Sequence, residues 1–323
     1  MSSTCHVFKT GEHAVKLVAV DHAASLSSVQ PPPKPLLVSA PEEKGEYPVV
    51  VLLHGYLLQN CFYSQLMQHV SSHGFIVVAP QLYCIAGPDC FDEIADAVKT
   101  IDWLIHGLAH ILPTHAKPNL AKLAIAGHSR GGKVAFALAL GYAETLLTIS
   151  VVIGIDPVDG QGIGKQTKPA VLTYKPCSFN MKAAALVIGS GLGGIKKNPF
   201  FPPCAPEGVN HQEFFDQCRA PACHLVARNY GHMDVLNDET KGIRGRATYC
   251  LCANGKAREP MRCFVGGAMV AFLKAYLGGE MLELWSIRGN PDVVVPIEVS
   301  EACFKEFQEG HLDSIKRSED CVG

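Results

Sequence analysis

Apolar runs alternate with amphipathic segments along most of the chain. Residues 34–41 (KPLLVSAP), 47–56 (YPVVVLLHGY), 75–83 (FIVVAPQLY), 122–126, 149–155 (ISVVIGI), 183–189 (AAALVIG) and 223–228 (CHLVAR) read as strands. Several are apolar without interruption, as strands buried on both faces are. Residues 61–74, 89–112 and 130–144 read as helices, and within 89–112 Ile94, Val98, Ile101, Leu104 and Leu108 recur at helical spacing. A last long helix is expected over 265–277, and short strands over 6–8 and 14–20. This alternation predicts the α/β class, with a mostly parallel sheet and helices on both faces. The chain reads as one domain over 1–323, with insertions after the strands at 149–155 and 183–189 and a loosely ordered, charged tail from about 300.

Composition narrows the function classes. Lys and Arg number 28 against 30 Asp and Glu, a net charge of −2. With no basic excess, no nucleic-acid partner is expected. No apolar run reaches the roughly 18 residues that span a bilayer, so the reading is a soluble protein or one associated peripherally with a membrane. The N-terminal residues lack the charged and apolar regions of a secretory signal, and Glu12 and Asp21 count against a plastid transit peptide. The 13 cysteines include two close pairs, Cys218/Cys223 and Cys250/Cys252, whose spacings fit no ordinary zinc site. No metal is expected, whereas a disulfide among Cys204, Cys218, Cys250 and Cys252 is.

Chemistry concentrates in "LAIAGHSRGGKVAFALAL" (123–140), where an apolar strand ends and a helix begins. Gly127-His-Ser129-Arg-Gly131 fits G-x-S-x-G, the sharp turn that presents a nucleophilic serine at the end of a strand. The glycines on either side let strand and helix backbones approach. The serine then stands at a helix N-terminus, whose partial positive charge favours an oxyanion. The backbone N–H of Arg130 is one expected oxyanion donor. The N–H of Tyr56, in the turn after His54-Gly55, is the other.

A general base belongs on a loop after the last parallel strand, and His232 in "NYGHMDVLND" sits there. Its rivals are His224, placed inside a strand and so expected to pack, and His211, expected to line the pocket. The acid is expected at a strand end between Ser129 and His232. Asp156 in "VVIGIDPVDG" is the best candidate, with Asp159 and Glu207 as alternatives. Asp159, before Gly160, better fits a turn-capping role.

Two other readings compete. Gly189-x-Gly191-x-x-Gly194 after a strand satisfies a dinucleotide-binding fingerprint. Pro199, Pro202 and Pro203 break the helix it requires, and no acidic strand end follows at the right distance. A hydrolase-like binding protein without activity would have lost the serine, the histidine or the elbow glycines, and all are present.

The segments "LLHGYLLQNCFYSQLMQHVSSHGFIVVAPQLY", "GHSRGGK", "IGIDPVDG", "GSGLGG", "CAPEGVNHQEFF" and "YGHMDVLND" together resemble plant chlorophyllases, over most of the chain from about residue 30 to the last helix. The resemblance implies an α/β-hydrolase fold and cleavage of the phytyl ester of chlorophyll to chlorophyllide and phytol. It also implies the triad Ser129, Asp156 and His232, no cofactor, and chlorophyll or another large apolar ester as the partner. A chloroplast location follows from that substrate, not from the short N-terminus. Pattern and spacing by themselves reach serine ester hydrolase, so a general carboxylesterase or lipase-like enzyme is the alternative. Leu57 and Leu58 beside the oxyanion turn, and Phe200 and Phe201 in the later insertion, are expected to contact phytyl or porphyrin, with ordinary loop packing as the competing reading.

Overall fold

The computed structural model describes residues 6–22 and 30–306. Its strands are β1 (Val15–Val20), β2 (Leu36–Pro41), β3 (Gly45–Leu53), β4 (Ile76–Pro80), β5 (Ala116–His128), β6 (Ile149–Ile155), β7 (Ala184–Ser190), β8 (Ala222–Ala227) and β9 (Val299–Lys305). They form one sheet in the order β1-β2-β4-β3-β5-β6-β7-β8-β9. The run from β4 to β8 is parallel throughout, and β1, β2 and β9 attach antiparallel at the two sides. This is the α/β-hydrolase fold that the resemblance implies.

The continuous apolar runs are explained by helices on both faces. These helices are α1 (Ser64–Ser71), α2 (Phe91–Gly107), α3 (Arg130–Ala139), α4 (His211–Gln217), α5 (Gly242–Cys250), α6 (Glu259–Leu273), α7 (Leu282–Gly289) and α8 (Pro291–Val294). Side chains alternate across the sheet. Val50 and Leu52 of β3, Val151 and Ile153 of β6, and Leu186 and Ile188 of β7 pack with α1 and α6. Val49 and Val51, Val152, and Val187 pack with α2 and α3 on the other face. Each such side chain, fully buried, contributes about 1.5–3 kcal/mol.

Helix α6 is nearly surrounded. With the π-helical turn Lys274–Gly278 it makes a 20-residue helix holding an 18-residue window of mean hydropathy 1.2, of which 78% is buried. The sequence reading expects no span of that length. This one passes by length and composition, and its burial makes it a core helix. A Cβ on Gly266 would come within 2.5 Å of the His69 ring, and one on Gly267 within 2.2 Å of the Phe8 ring. Residues 6–8, expected as a strand, form a 3-10 turn instead. Three residues are too few for a useful ladder, and Val7 and Phe8 bury more by seating on α6.

The tail also departs from expectation. Residues 299–305 are the edge strand β9, held because Val299, Ala302 and Phe304 reach the core. Residues 307–323, the rest of the tail read as loosely ordered, lie outside the described residues. The expected insertions are the long connections 156–183 and 191–210, both at the carboxyl side of the parallel strands. Cys204 and Cys252 form a disulfide that ties the second of these to the segment after α5, while Cys218 and Cys250 are free.

Candidate active site

Ser129 sits between β5 and α3 with φ 57° and ψ −123°. A non-glycine residue in the left-handed region costs roughly 1–2 kcal/mol, so the surroundings must hold it there. Its N–H donates to the Ile155 carbonyl at 3.0 Å, and its own carbonyl accepts from Val158 N–H at 3.1 Å. The flanking glycines are required by contact. A Cβ on Gly127 would lie 2.1 Å from the Gly131 carbonyl oxygen, and one on Gly131 would lie 2.4 Å from that of Leu53. The Ser129 hydroxyl is not spent on capping α3.

Asp156 follows β6 directly, also at positive φ (44°). Its Oδ2 accepts from His232 Nδ1–H at 2.7 Å and from the Ser190 hydroxyl, and its Oδ1 accepts from Ser190 N–H at 3.3 Å. Burial by itself would raise this carboxyl. The hydrogen bond and charge of His232, with the Ser190 hydroxyl, outweigh burial and hold it down at about 2. With Nδ1 donating to Asp156, neutral His232 keeps Nε2 free to accept a proton.

The acid alternatives separate cleanly. Asp159 is fully buried against Lys133, Nζ to Oδ1 2.8 Å, and its other oxygen accepts from Val171 N–H, Leu172 N–H and Gln166. It therefore fixes the loop 159–172. Glu207 lies beside a different cavity, of about 420 Å³, together with His211. His211 Nδ1 is 2.9 Å from Nε2 of His224, which is buried in β8 as expected.

A cleft of about 490 Å³ opens at Ser129, with Tyr56, Arg130, Val158, Thr167 and Cys204 among its walls. The backbone at Gly55 comes close to the serine, since a Cβ there would be 3.2 Å from Ser129 Cβ. Arg130 N–H is the first of α3, where the helix supplies no acceptor. The Arg130 side chain points elsewhere. It pairs with Glu93 at 2.7 Å, donates to the carbonyls of Gly87 and Asp89, and sits 5.3 Å from the centre of the Tyr56 ring. His54 is a satisfied core histidine: Nδ1–H donates to the Gly55 carbonyl and Nε2 accepts from Leu82 N–H. Burial pushes its pKa down to about 4.

The expected substrate contacts divide. Leu57 is part-exposed beside Tyr56. Leu58 is 4% exposed and belongs to the core under the Gly55 turn, so packing took it. Phe200 and Phe201 are exposed next to Pro202 and Pro203, which do line the cleft. His211 lines the neighbouring cavity and not the cleft.

Sequence reasoning missed Ser190 and Tyr63. Ser190 lies inside the glycine run read as a failed dinucleotide motif. That run packs closely against Asp156 and the end of β8 instead: a Cβ on Gly193 would be 3.0 Å from Asp156 Oδ2, and one on Gly191 would be 2.2 Å from the Arg228 carbonyl oxygen. Nothing in the pattern around Tyr63 marks it, because the side chain its hydroxyl meets, His128, lies 65 positions away.

A family model described as Chlorophyllase matches residues 3–306. The chain is 57% identical over 311 residues to Chlorophyllase-2 of Arabidopsis thaliana, covering 93% of this chain and 98% of that protein. It is 44% identical to Chlorophyllase-1 of the same plant, covering 88% and 89%. It is 40% identical to "Chlorophyllase-1, chloroplastic" of Citrus sinensis, covering 90% and 86%.

Proposed function

The chain belongs to the chlorophyllase family, and on that premise we propose that it hydrolyses the phytyl ester of chlorophyll through an acyl-enzyme on Ser129. The observation that carries the reading is the buried Asp156–His232 pair beside a strained serine turn at the carboxyl ends of parallel strands. Ser129 Oγ attacks the ester carbonyl while His232 Nε2 takes its proton. Asp156 fixes the imidazole tautomer and stabilises the imidazolium. The N–H groups of Tyr56 and Arg130 receive the oxyanion, each worth about 2.7–4 kcal/mol of transition-state stabilisation. His232 then protonates phytol as it leaves, and water, deprotonated by His232, releases chlorophyllide. No cofactor enters these steps.

A cleft of this size suits a drug-sized ligand, so part of a tetrapyrrole with a phytyl chain rests on the rim. Tyr56 belongs to the cleft wall, and Leu57, Ile85, Ile163, Phe200 and Ile243 are exposed in segments that follow the carboxyl ends of the parallel strands. Such a surface supports peripheral association with a lipid phase that holds the substrate. The chloroplast is the proposed location, supported by the name of the Citrus sinensis relative. The whole chain is proposed to work as one α/β-hydrolase domain.

The test is substrate competition. Purified protein should hydrolyse chlorophyll a with a higher kcat/KM than p-nitrophenyl butyrate, since remote apolar contacts position the larger ester. Chlorophyllide should be identified by mass. Fast cleavage of the short ester without chlorophyllide would favour a general carboxylesterase.

A further inference from the structure

His128, the residue before Ser129, is fully buried and has no part in the proton transfers above. Its ring nevertheless stands between three pieces of the site. Gly55 N–H is 3.0 Å from the Tyr63 hydroxyl oxygen. That hydroxyl is 2.7 Å from His128 Nδ1, and His128 Nε2 is 2.9 Å from the backbone carbonyl oxygen of His232. The rings of His128 and His232 lie 4.6 Å apart.

Donor and acceptor counting fixes every proton in this chain. The His232 carbonyl can only accept, so His128 Nε2 carries the hydrogen. A neutral ring then has a bare Nδ1, which accepts from Tyr63 O–H. Tyr63 has a single hydrogen, now committed, so its oxygen accepts from Gly55 N–H. The chain runs one way, from the oxyanion loop to the backbone of the general base. A protonated His128 would turn Nδ1 into a donor, which would force the Tyr63 hydrogen away from it and reverse that link. Burial, with the charge of His232 second, pushes His128 down to about 3, so the ring is neutral at working pH.

We infer that His128, backed by Tyr63, is a positioning residue of the esterase reaction, with its Nε2–H holding the His232 backbone and Tyr63 tying the Gly55 oxyanion loop to the same ring. The inference rests on the triad reading above. Its chemical content is that the donor at Nε2 matters, beyond the volume of the ring.

Two substitutions separate donor from volume. In His128→Gln the amide nitrogen takes the place of Nε2 and can still donate to His232. In His128→Asn the amide oxygen takes the place of Nδ1, and nothing reaches His232. On p-nitrophenyl butyrate, His128→Asn should lower kcat by about 30-fold with KM within about twofold, the size expected from a slightly misplaced base. His128→Gln should stay within about threefold of the parent. Tyr63→Phe, which keeps the ring, should lower kcat by about fivefold. The Tyr63→Phe/His128→Asn pair should lose less than the product of the single effects, because both cut one chain. Wild-type kcat in His128→Asn, or equal impairment of the Gln and Asn variants, overturns the inference. If His128→Asn does not fold, Tyr63→Phe decides, and wild-type kcat there overturns it. Ser129→Ala runs alongside: its activity would sink the triad reading itself, whereas an inactive Ser129→Ala beside a fully active His128→Asn sinks only the positioning role.

Discussion

Asp156 Oδ2 lies 2.7 Å from His232 Nδ1, and both side chains are 2% exposed. The two come from loops 76 positions apart, and a third residue, Ser190, donates its hydroxyl to the same carboxylate oxygen and its N–H to the other. Such a pair orients one imidazole tautomer. Asp156→Asn should therefore lower kcat on ester substrates by about 10⁴-fold with little change in KM. Steady-state kinetics at neutral pH checks it.

Asp159, three residues on, should behave in the opposite way. Asp159→Asn leaves Lys133 buried without its partner, so about 3–5 kcal/mol of stability should be lost. Denaturant unfolding should show that loss. Activity of the fraction still folded should fall far less than in Asp156→Asn. A stable, inactive Asp159→Asn would exchange the two roles.

Ser190→Ala removes one donor from Asp156 and leaves the His232 bond in place. Its carboxyl should rise from about 2 toward the ordinary range. Turnover should fall by about 3–10-fold, well short of the loss in Asp156→Asn. A variant as inactive as Asp156→Asn would mean that Ser190 does more than support the acid.

Stability should fall as the medium turns acidic. Burial holds His54 at about 4 and His128 and His224 at about 3, against 6.5 for the ordinary side chain. Between about 6.5 and 4 the unfolded chain binds protons at these rings and the fold does not, so unfolding free energy rises with pH there. Each ring contributes a slope of about 1.4 kcal/mol per pH unit. The stability is fully present above about 6.5 and is lost as pH falls toward the folded values. Denaturant midpoints at several pH values should show this slope, and His128→Gln should remove one ring's share.

Most of the fold was legible because it follows from local pattern. The runs at 47–56, 149–155 and 183–189 are apolar on both faces, and the sheet buries both. The elbow was legible for a steric reason, since Gly127 and Gly131 have no room for a Cβ. The 3-10 turn at His6–Phe8 and the strand Val299–Lys305 were not legible, because each is decided by what it packs on. Leu58 was expected at the pocket from its neighbours in sequence, yet the turn at Gly55 sends it inward, where Leu58 N–H bonds the Gly55 carbonyl. The different surroundings of Asp156 and Asp159 are set by the long-range partners His232 and Lys133, which the local pattern does not show. Tyr63 and Ser190 carry no sequence signal of their own, since a hydroxyl at a site is recognised only by what it reaches.

The central claim is that Ser129 is the nucleophile that cleaves chlorophyll. The most direct measurement treats the protein with a serine-directed organophosphate, locates the adduct by peptide mass spectrometry, and follows chlorophyllide release from chlorophyll a in the same samples. The expected result is a single adduct on Ser129, with chlorophyllide release lost in proportion to labelling and absent in Ser129→Ala. An adduct on another serine, or chlorophyllide formed by Ser129→Ala, would contradict it.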